Sequence, residues 1–153
     1  MLDLAAGCGR HTRFFLLRGH PVIAVDRDVA ALRVIADPRL EVIEADLEGA
    51  PWPFGGRTFA GVVVSNYLWR PLVPLIVASV APGGALLYET FAVGNERFGR
   101  PTNPDFLLRP GELLEAVRGH LEVREYSHGE EGAPPTAVRQ RMCAVRRSTA
   151  PAP

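Results

Sequence analysis

Short apolar runs alternate with segments of helical length along most of this sequence. Runs of a few Val, Ile and Leu residues indicate buried β-strands, and strands that alternate with helices form a mostly parallel sheet with helices on both faces. The pattern therefore predicts an α/β domain, a three-layer sandwich with a seven-stranded sheet. The predicted strands span residues 2–5, 21–25, 40–45, 59–65, 84–91, 121–126 and 137–145.

Four segments between these strands have the length and the boundary residues of helices. They span residues 10–18, 29–36, 71–80 and 110–118. Asp28 is the predicted N-cap of the second helix, which ends before Asp37 because a residue that precedes proline disfavours helical geometry. The last two strands are predicted to form a hairpin through residues 129–135, while residues 92–109 have no clear period.

The composition is that of a soluble globular domain, with 47% apolar residues and a formal net charge of zero. We expect one domain over residues 1–147 and a flexible Ala-Pro tail over 148–153. Neutral charge argues against nucleic acid and anionic membranes as partners. The longest apolar stretch, residues 72–81, is about half a bilayer span, and no signal peptide is recognised, so a cytoplasmic location is expected.

The first strand is followed by a glycine-rich loop and then a helix. Such a turn lets a ligand approach the backbone closely and points free N–H groups at it. A dinucleotide fingerprint would have a third glycine where Thr12 stands, and the nicotinamide dehydrogenases that use a Tyr-x-x-x-Lys pair are disfavoured because the sequence has no lysine. No metal site is expected, since Cys8 and Cys143 are far apart and form no ligand pair.

Polar residues also follow the next three strands. Asp26 and Arg27 end the second strand, and an acidic side chain there can accept hydrogen bonds from both hydroxyls of a ribose. The alternative is that Asp26, instead of Asp28, caps the following helix. The third strand ends in Asp46-Leu47 and the fourth in Ser65-Asn66-Tyr67. Because ligands bind beyond the carboxyl ends of parallel strands, these segments are predicted to meet at one crevice.

This order of motifs resembles that of the class I S-adenosylmethionine (SAM) dependent methyltransferases, especially small bacterial enzymes related to the tellurite-resistance type. The matching segments are Asp-x-Ala-x-Gly-x-Gly, Val-Asp, Ala-Asp-Leu, Val-Val-Ser-Asn and Pro-Gly-Gly before a strand. The resemblance implies a Rossmann-like sheet of order 3-2-1-4-5-7-6 with strand 7 antiparallel. It also implies SAM as the cofactor. The residues it assigns to SAM are Asp3, Ala5, Gly7, Cys8, Gly9, Asp26, Arg27, Asp46, Leu47, Ser65, Asn66 and Tyr67.

Within that set, the resemblance implies that Asp3 and the loop 5–9 hold the methionine part and that Asp26 binds the ribose. Asp46 would accept a hydrogen bond from the adenine amino group, the Leu47 N–H would face the ring, and the backbone at 65–67 would line the sulfonium. Ala5 stands where a glycine is often found. No catalytic residue is assigned, because methyl transfer can proceed by positioning and desolvation.

The leading hypothesis is a SAM-dependent methyltransferase with a small-molecule acceptor, and residues 92–109 are expected to form part of the acceptor pocket or a lid. A non-catalytic SAM-binding or oligomerising protein and a methyltransferase acting on protein or RNA remain as alternatives. The first strand begins at Met1, so the sheet face near Leu2 and Leu4 is expected to lack its usual cover. A homodimer or a start codon further upstream would close that gap.

Overall fold

The computed structural model describes residues 1–148, so the predicted tail lies outside the described residues apart from Ser148. A single seven-stranded sheet organises the fold, in the order β3-β2-β1-β4-β5-β7-β6. Strand β7 runs antiparallel to both of its neighbours, and the other pairs are parallel. The predicted topology is confirmed. The strands are β1 Leu2–Leu4, β2 Val22–Asp26, β3 Leu40–Glu44, β4 Phe59–Ser65, β5 Val80–Phe91, β6 Glu122–Glu131 and β7 Ala137–Val145.

The helices are α1 Arg10–Leu17, α2 Ala30–Arg33, α3 Val73–Ala78 and α4 Glu112–Val117. All four are shorter than predicted, and α2 is a single turn. The α2 prediction was too long because the Asp37 carboxylate accepts hydrogen bonds from the backbone and side chain of Arg39. A short acidic side chain that bonds the backbone in this way offers an alternative to helix. At α4 the left-handed backbone of Gly111 delays the helix start.

Strand β5 begins before its predicted start, at Val80, which pairs with Phe59 of β4. The turn at 81–84 therefore lies inside the strand. A Cβ atom at Gly84 would come within 2.9 Å of the carbonyl oxygens of Ala81 and Phe59, so this position requires glycine. Strand β6 extends to Glu131, which pairs with Ala137, so the hairpin turn is shorter than the predicted 129–135.

The core lies between the sheet and helices α3 and α4. Leu2 and Leu4 are fully buried in the same cluster as Ile76 of α3 and Leu113 of α4. The expectation that the face near Leu2 and Leu4 is uncovered was therefore wrong, because both side chains point to the covered side of the sheet. The large apolar side chains that are exposed lie elsewhere. They are Phe14, Leu17, Val34, Leu75, Leu87, Val93, Phe106 and Val123.

Within residues 1–148, no helix is long and apolar enough to cross a membrane. The same residues contain no group of three or more His, Cys, Asp or Glu side chains that could hold a metal ion.

Candidate functional site

A cavity of about 390 Å³ opens at the carboxyl ends of β1, β2, β3 and β4. We call it the strand-end cavity. Most of the predicted site residues line it, and three of its lining residues were not among the predicted site residues. The predicted residues that line it are Ala5, Asp26, Arg27, Asp46, Leu47, Asn66 and Tyr67. The others are Ala45, Glu48 and Phe106.

The glycine loop crosses the end of β1 in left-handed geometry. Ala5, Gly7 and Gly9 have φ angles of 53°, 53° and 79°. Left-handed geometry strains a residue with a Cβ atom, and Ala5 therefore carries strain that a glycine would not. At Gly9 a Cβ atom would lie 2.8 Å from Leu32 of α2, so this glycine allows close packing of the loop on α2.

Asp26 joins the end of β2 to the glycine loop. One carboxylate oxygen accepts the Gly7 N–H at 2.8 Å, and the other accepts the Asp28 N–H at 3.0 Å. A carboxylate oxygen can accept more than one hydrogen bond, so capacity for a ligand remains. Asp28 accepts the Ala30 N–H at 3.1 Å. Asp28 therefore supports the start of α2 as predicted, although the N-cap position itself is Val29.

Asp3 does not line the strand-end cavity but lies beneath the glycine loop, 2% exposed. Its carboxylate accepts a hydrogen bond from the Thr12 hydroxyl at 2.6 Å. Burial raises the pKa of Asp3 above its usual value, and the Thr12 hydrogen bond partly offsets that effect. Thr12, which the sequence analysis noted only as a missing glycine, thus ties α1 to β1 under the loop.

Four other predicted residues, Gly7, Cys8, Gly9 and Ser65, also do not line the strand-end cavity. Cys8 is exposed, and its carbonyl oxygen accepts a hydrogen bond from Arg13. Ser65 lines a separate cavity between α1 and the sheet, where its hydroxyl accepts a hydrogen bond from Arg10 at 3.4 Å.

Asp46 and Tyr67 both line the strand-end cavity. The Asp46 carboxylate accepts the Glu48 N–H at 3.0 Å, which shapes the turn after β3. The Tyr67 hydroxyl is buried and has no hydrogen-bond partner within residues 1–148. Burial, and then the carboxylates of Glu48, Asp46 and Asp26, raise the pKa of Tyr67, so the hydroxyl stays protonated. A buried hydroxyl without a partner is costly, which marks this position as one that a ligand group can satisfy.

Residues 100–103 and Phe106, within the segment 92–109, form part of the wall of a second cavity of about 560 Å³, which we call the loop cavity. It adjoins the strand-end cavity, and the two share Glu48, Asn66, Tyr67 and Phe106. The remaining lining residues are Leu68, Thr90, Phe91, Arg100, Pro101, Thr102 and Asn103.

This segment is anchored at both ends. The buried Asn95 side chain accepts the Val138 N–H of β7 at 3.1 Å and donates to the Pro101 carbonyl at 3.4 Å. Arg70 donates to the carbonyls of Asp105 and Leu107, at 2.6 and 2.9 Å, and forms an ion pair with Glu112 of α4 at 2.6 Å. Residues 100–103, between these anchors, line the loop cavity.

Asn66 stands where the two cavities meet, in left-handed geometry with φ 55°. Asparagine tolerates this region better than most residues. Its side-chain oxygen accepts a hydrogen bond from Arg139 of β7, which also pairs with Glu89 at 3.3 Å and Glu131 at 3.4 Å. Arg139 is therefore a residue near the site that the sequence analysis missed.

No protein-family model matches this sequence, and no curated protein matches it. Solved structures do match. The 1,6-didemethyltoxoflavin-N1-methyltransferase of Burkholderia thailandensis, solved with S-adenosylhomocysteine, is 21% identical with a TM-score of 0.69, over 96% of this chain and 70% of that one. TehB from Haemophilus influenzae is 19% identical with a TM-score of 0.69, over 96% of this chain and 57% of that one. A SAM-dependent methyltransferase from Mesorhizobium loti is 16% identical with a TM-score of 0.71, over 95% and 89%.

The structural neighbours of this chain are SAM-dependent methyltransferases, and the shared feature is the fold. The seven-stranded sheet with its antiparallel strand β7 is the Rossmann-like methyltransferase fold that the sequence motifs imply.

Proposed function

We propose that this chain binds SAM in the strand-end cavity and transfers its methyl group to a small molecule in the loop cavity. The observation that carries the proposal is the adjacency of the two cavities, which meet at Asn66 and Tyr67. A donor site and an acceptor site must share such a boundary, because a methyl group passes directly from one molecule to the other.

The residues of the strand-end cavity fit SAM. Its volume of about 390 Å³ lies in the range of small-molecule sites. Asp26 supplies a carboxylate for the ribose hydroxyls, and Asp46 with the Leu47 N–H supplies an acceptor and a donor for the adenine edge. The left-handed backbone of the loop 5–9 allows a ligand to approach that backbone closely. The unpartnered Tyr67 hydroxyl provides a further donor beside these groups.

The roles of the chain are to bind, to orient and to exclude water. SAM, when bound, supplies a methyl group that is activated by its positive sulfur. Carboxylates at Asp26, Asp46 and Glu48 give the neighbourhood a negative potential that favours a cationic ligand. Tyr67 and Phe106 line the boundary between the cavities with aromatic side chains. Holding two reactants in fixed geometry can by itself account for much of the rate.

Asp3 and Cys8 do not line the strand-end cavity, so we assign them a different role from the residues that do. Asp3 supports the glycine loop through Thr12, and Gly7 and Gly9 fix its path, so these residues shape the methionine end without lining the cavity. The backbone of Cys8 and Ser65 remains a candidate contact for that end.

Calorimetric titration with SAM, S-adenosylhomocysteine, NAD and NADP tests the cofactor assignment. We expect heat of binding with the first two ligands and none with the dinucleotides, because Thr12 occupies the position of the third glycine of the dinucleotide fingerprint. Preferential binding of NAD would contradict the proposal.

A further inference from the structure

The boundary between the strand-end and loop cavities contains one group that can accept a proton. Of the four shared residues, Phe106 is apolar, the Asn66 side-chain oxygen is bonded to Arg139, and the Tyr67 hydroxyl stays protonated. Glu48 is exposed, and its carboxylate has no hydrogen bond or ion pair within residues 1–148. It is therefore free to contact a molecule that occupies the loop cavity.

The loop cavity also has one free positive charge. The neighbouring arginines of the same segment are engaged, since Arg97 pairs with Glu130 at 2.8 Å and Arg109 with Glu112 at 3.5 Å. The guanidinium of Arg100 has no such partner among the described residues, and Arg100 lines the cavity. A free guanidinium in a binding cavity suits a carboxylate, which it can hold through paired hydrogen bonds.

The remaining wall of the loop cavity combines apolar and aromatic residues with the polar Asn66, Thr90, Thr102 and Asn103. Phe91, Phe106, Tyr67, Leu68 and Pro101 contribute flat or aliphatic surface. A flat ring packs well on such walls, whereas a small inorganic anion would leave them unfilled. Glu48 would moreover repel an anionic nucleophile at the boundary.

We propose that the acceptor is a flat aromatic ring with an N–H group on one side and a carboxylate on the other. Arg100 binds the carboxylate, and Glu48 accepts a hydrogen bond from the N–H at the boundary with the strand-end cavity. On methylation the nitrogen forms a bond to the methyl carbon, the carbon–sulfur bond of the donor breaks with its electron pair left on sulfur, and the N–H proton passes to Glu48. This inference rests on the proposed function.

Binding of three probes without SAM tests the inference independently of catalysis. The probes are 4-aminobenzoate, benzoate, which lacks the N–H, and aniline, which lacks the carboxylate. Ligand-observed NMR titrations should give the tightest binding for 4-aminobenzoate, by about tenfold over either fragment, since a hydrogen bond to a charged group is worth roughly that factor. Equal affinity for all three probes, or no binding of 4-aminobenzoate, would overturn it.

Two variants assign the contacts. Arg100→Gln should weaken 4-aminobenzoate about tenfold and leave aniline unchanged, whereas Glu48→Gln should weaken both amines and leave benzoate unchanged or tighter. Arg57→Gln and Glu41→Gln are matched controls, because both residues are exposed and line neither cavity. Unfolding temperatures check that each variant folds. If either site variant behaves like its control, the assignment fails.

The same samples separate the two proposals. SAM affinity of the wild type, measured by calorimetry, reports on the proposed function alone. A wild type that binds SAM but not the probes contradicts only the acceptor assignment, and one that binds neither contradicts both.

Discussion

Replacement of Asp26 by alanine should damage both cofactor binding and the glycine loop. The lost carboxylate would leave the Gly7 and Asp28 N–H groups without their acceptor. At about 1 kcal/mol for each hydrogen bond, the free energy of unfolding should fall by roughly 2 kcal/mol. For a chain of this length the unfolding temperature should then fall by about 4–8 °C. Loss of the ribose contact, a bond to a charged group worth roughly 1.5–3 kcal/mol, should weaken SAM binding by about 10-fold to 150-fold.

Asp28→Ala is the matched control, since it removes a neighbouring carboxylate that bonds only the Ala30 N–H. It should cost about 1 kcal/mol of stability, as the loss of a helix-terminal acceptor does, with SAM affinity unchanged. Calorimetry gives the dissociation constants, and thermal unfolding by circular dichroism gives the stabilities. The reasoning is refuted if Asp28→Ala weakens SAM as much as Asp26→Ala does. It is refuted equally if Asp26→Ala lowers stability while the SAM dissociation constant is unchanged.

Three further predictions test other features. Ala5→Gly should raise the unfolding temperature by about 2 °C, because glycine relieves the left-handed strain by more than it adds to unfolded-state entropy; a lower temperature would contradict this. Arg70→Gln should cost about 2 kcal/mol and speed proteolysis within 98–106, whereas Arg97→Gln, in an exposed ion pair, should cost less than about 1 kcal/mol and leave proteolysis unchanged. Light scattering should find a dimer that Leu87→Glu converts to monomer, because Leu87 and Phe14, 40% and 45% exposed, line the same cavity between α1 and the sheet; a monomeric wild type would exclude the dimer.

The strands followed from the sequence because a buried parallel strand leaves a direct signal, a run such as Val62-Val63-Val64, whereas their order was implied by the resemblance to class I methyltransferases. Helix ends were less predictable. They depend on hydrogen bonds such as that from the Arg39 N–H to the Asp37 carboxylate, and on the left-handed backbone of Gly111. Neither feature changes the spacing of apolar residues along the sequence.

The same distinction holds at the site. Asp26, Asp46 and Tyr67 could be predicted because the carboxyl ends of parallel strands meet at one edge. Arg70 could not, since its partner Glu112 is 42 residues away, and no local pattern couples the two. The contact of Thr12 could have been predicted. In a strand–turn–helix unit, a hydroxyl nine residues after a buried acid can donate a hydrogen bond to that acid.

The side chains of Asn95 and Arg70 hold the segment 92–109 in place, and different residues of that segment line the loop cavity. Both anchors bind backbone atoms of the loop or groups outside it, and the side chains of Arg100, Thr102 and Asn103 contribute cavity wall between them. Arg100 and Thr102 make no side-chain hydrogen bond within residues 1–148, so each can be exchanged while the anchors, the sheet and the strand-end cavity remain as they are, whereas Asn103 caps residues 104–106 through the Asp105 N–H. Under the proposed function, changes at these exposed positions would alter which acceptor binds without changing the fold.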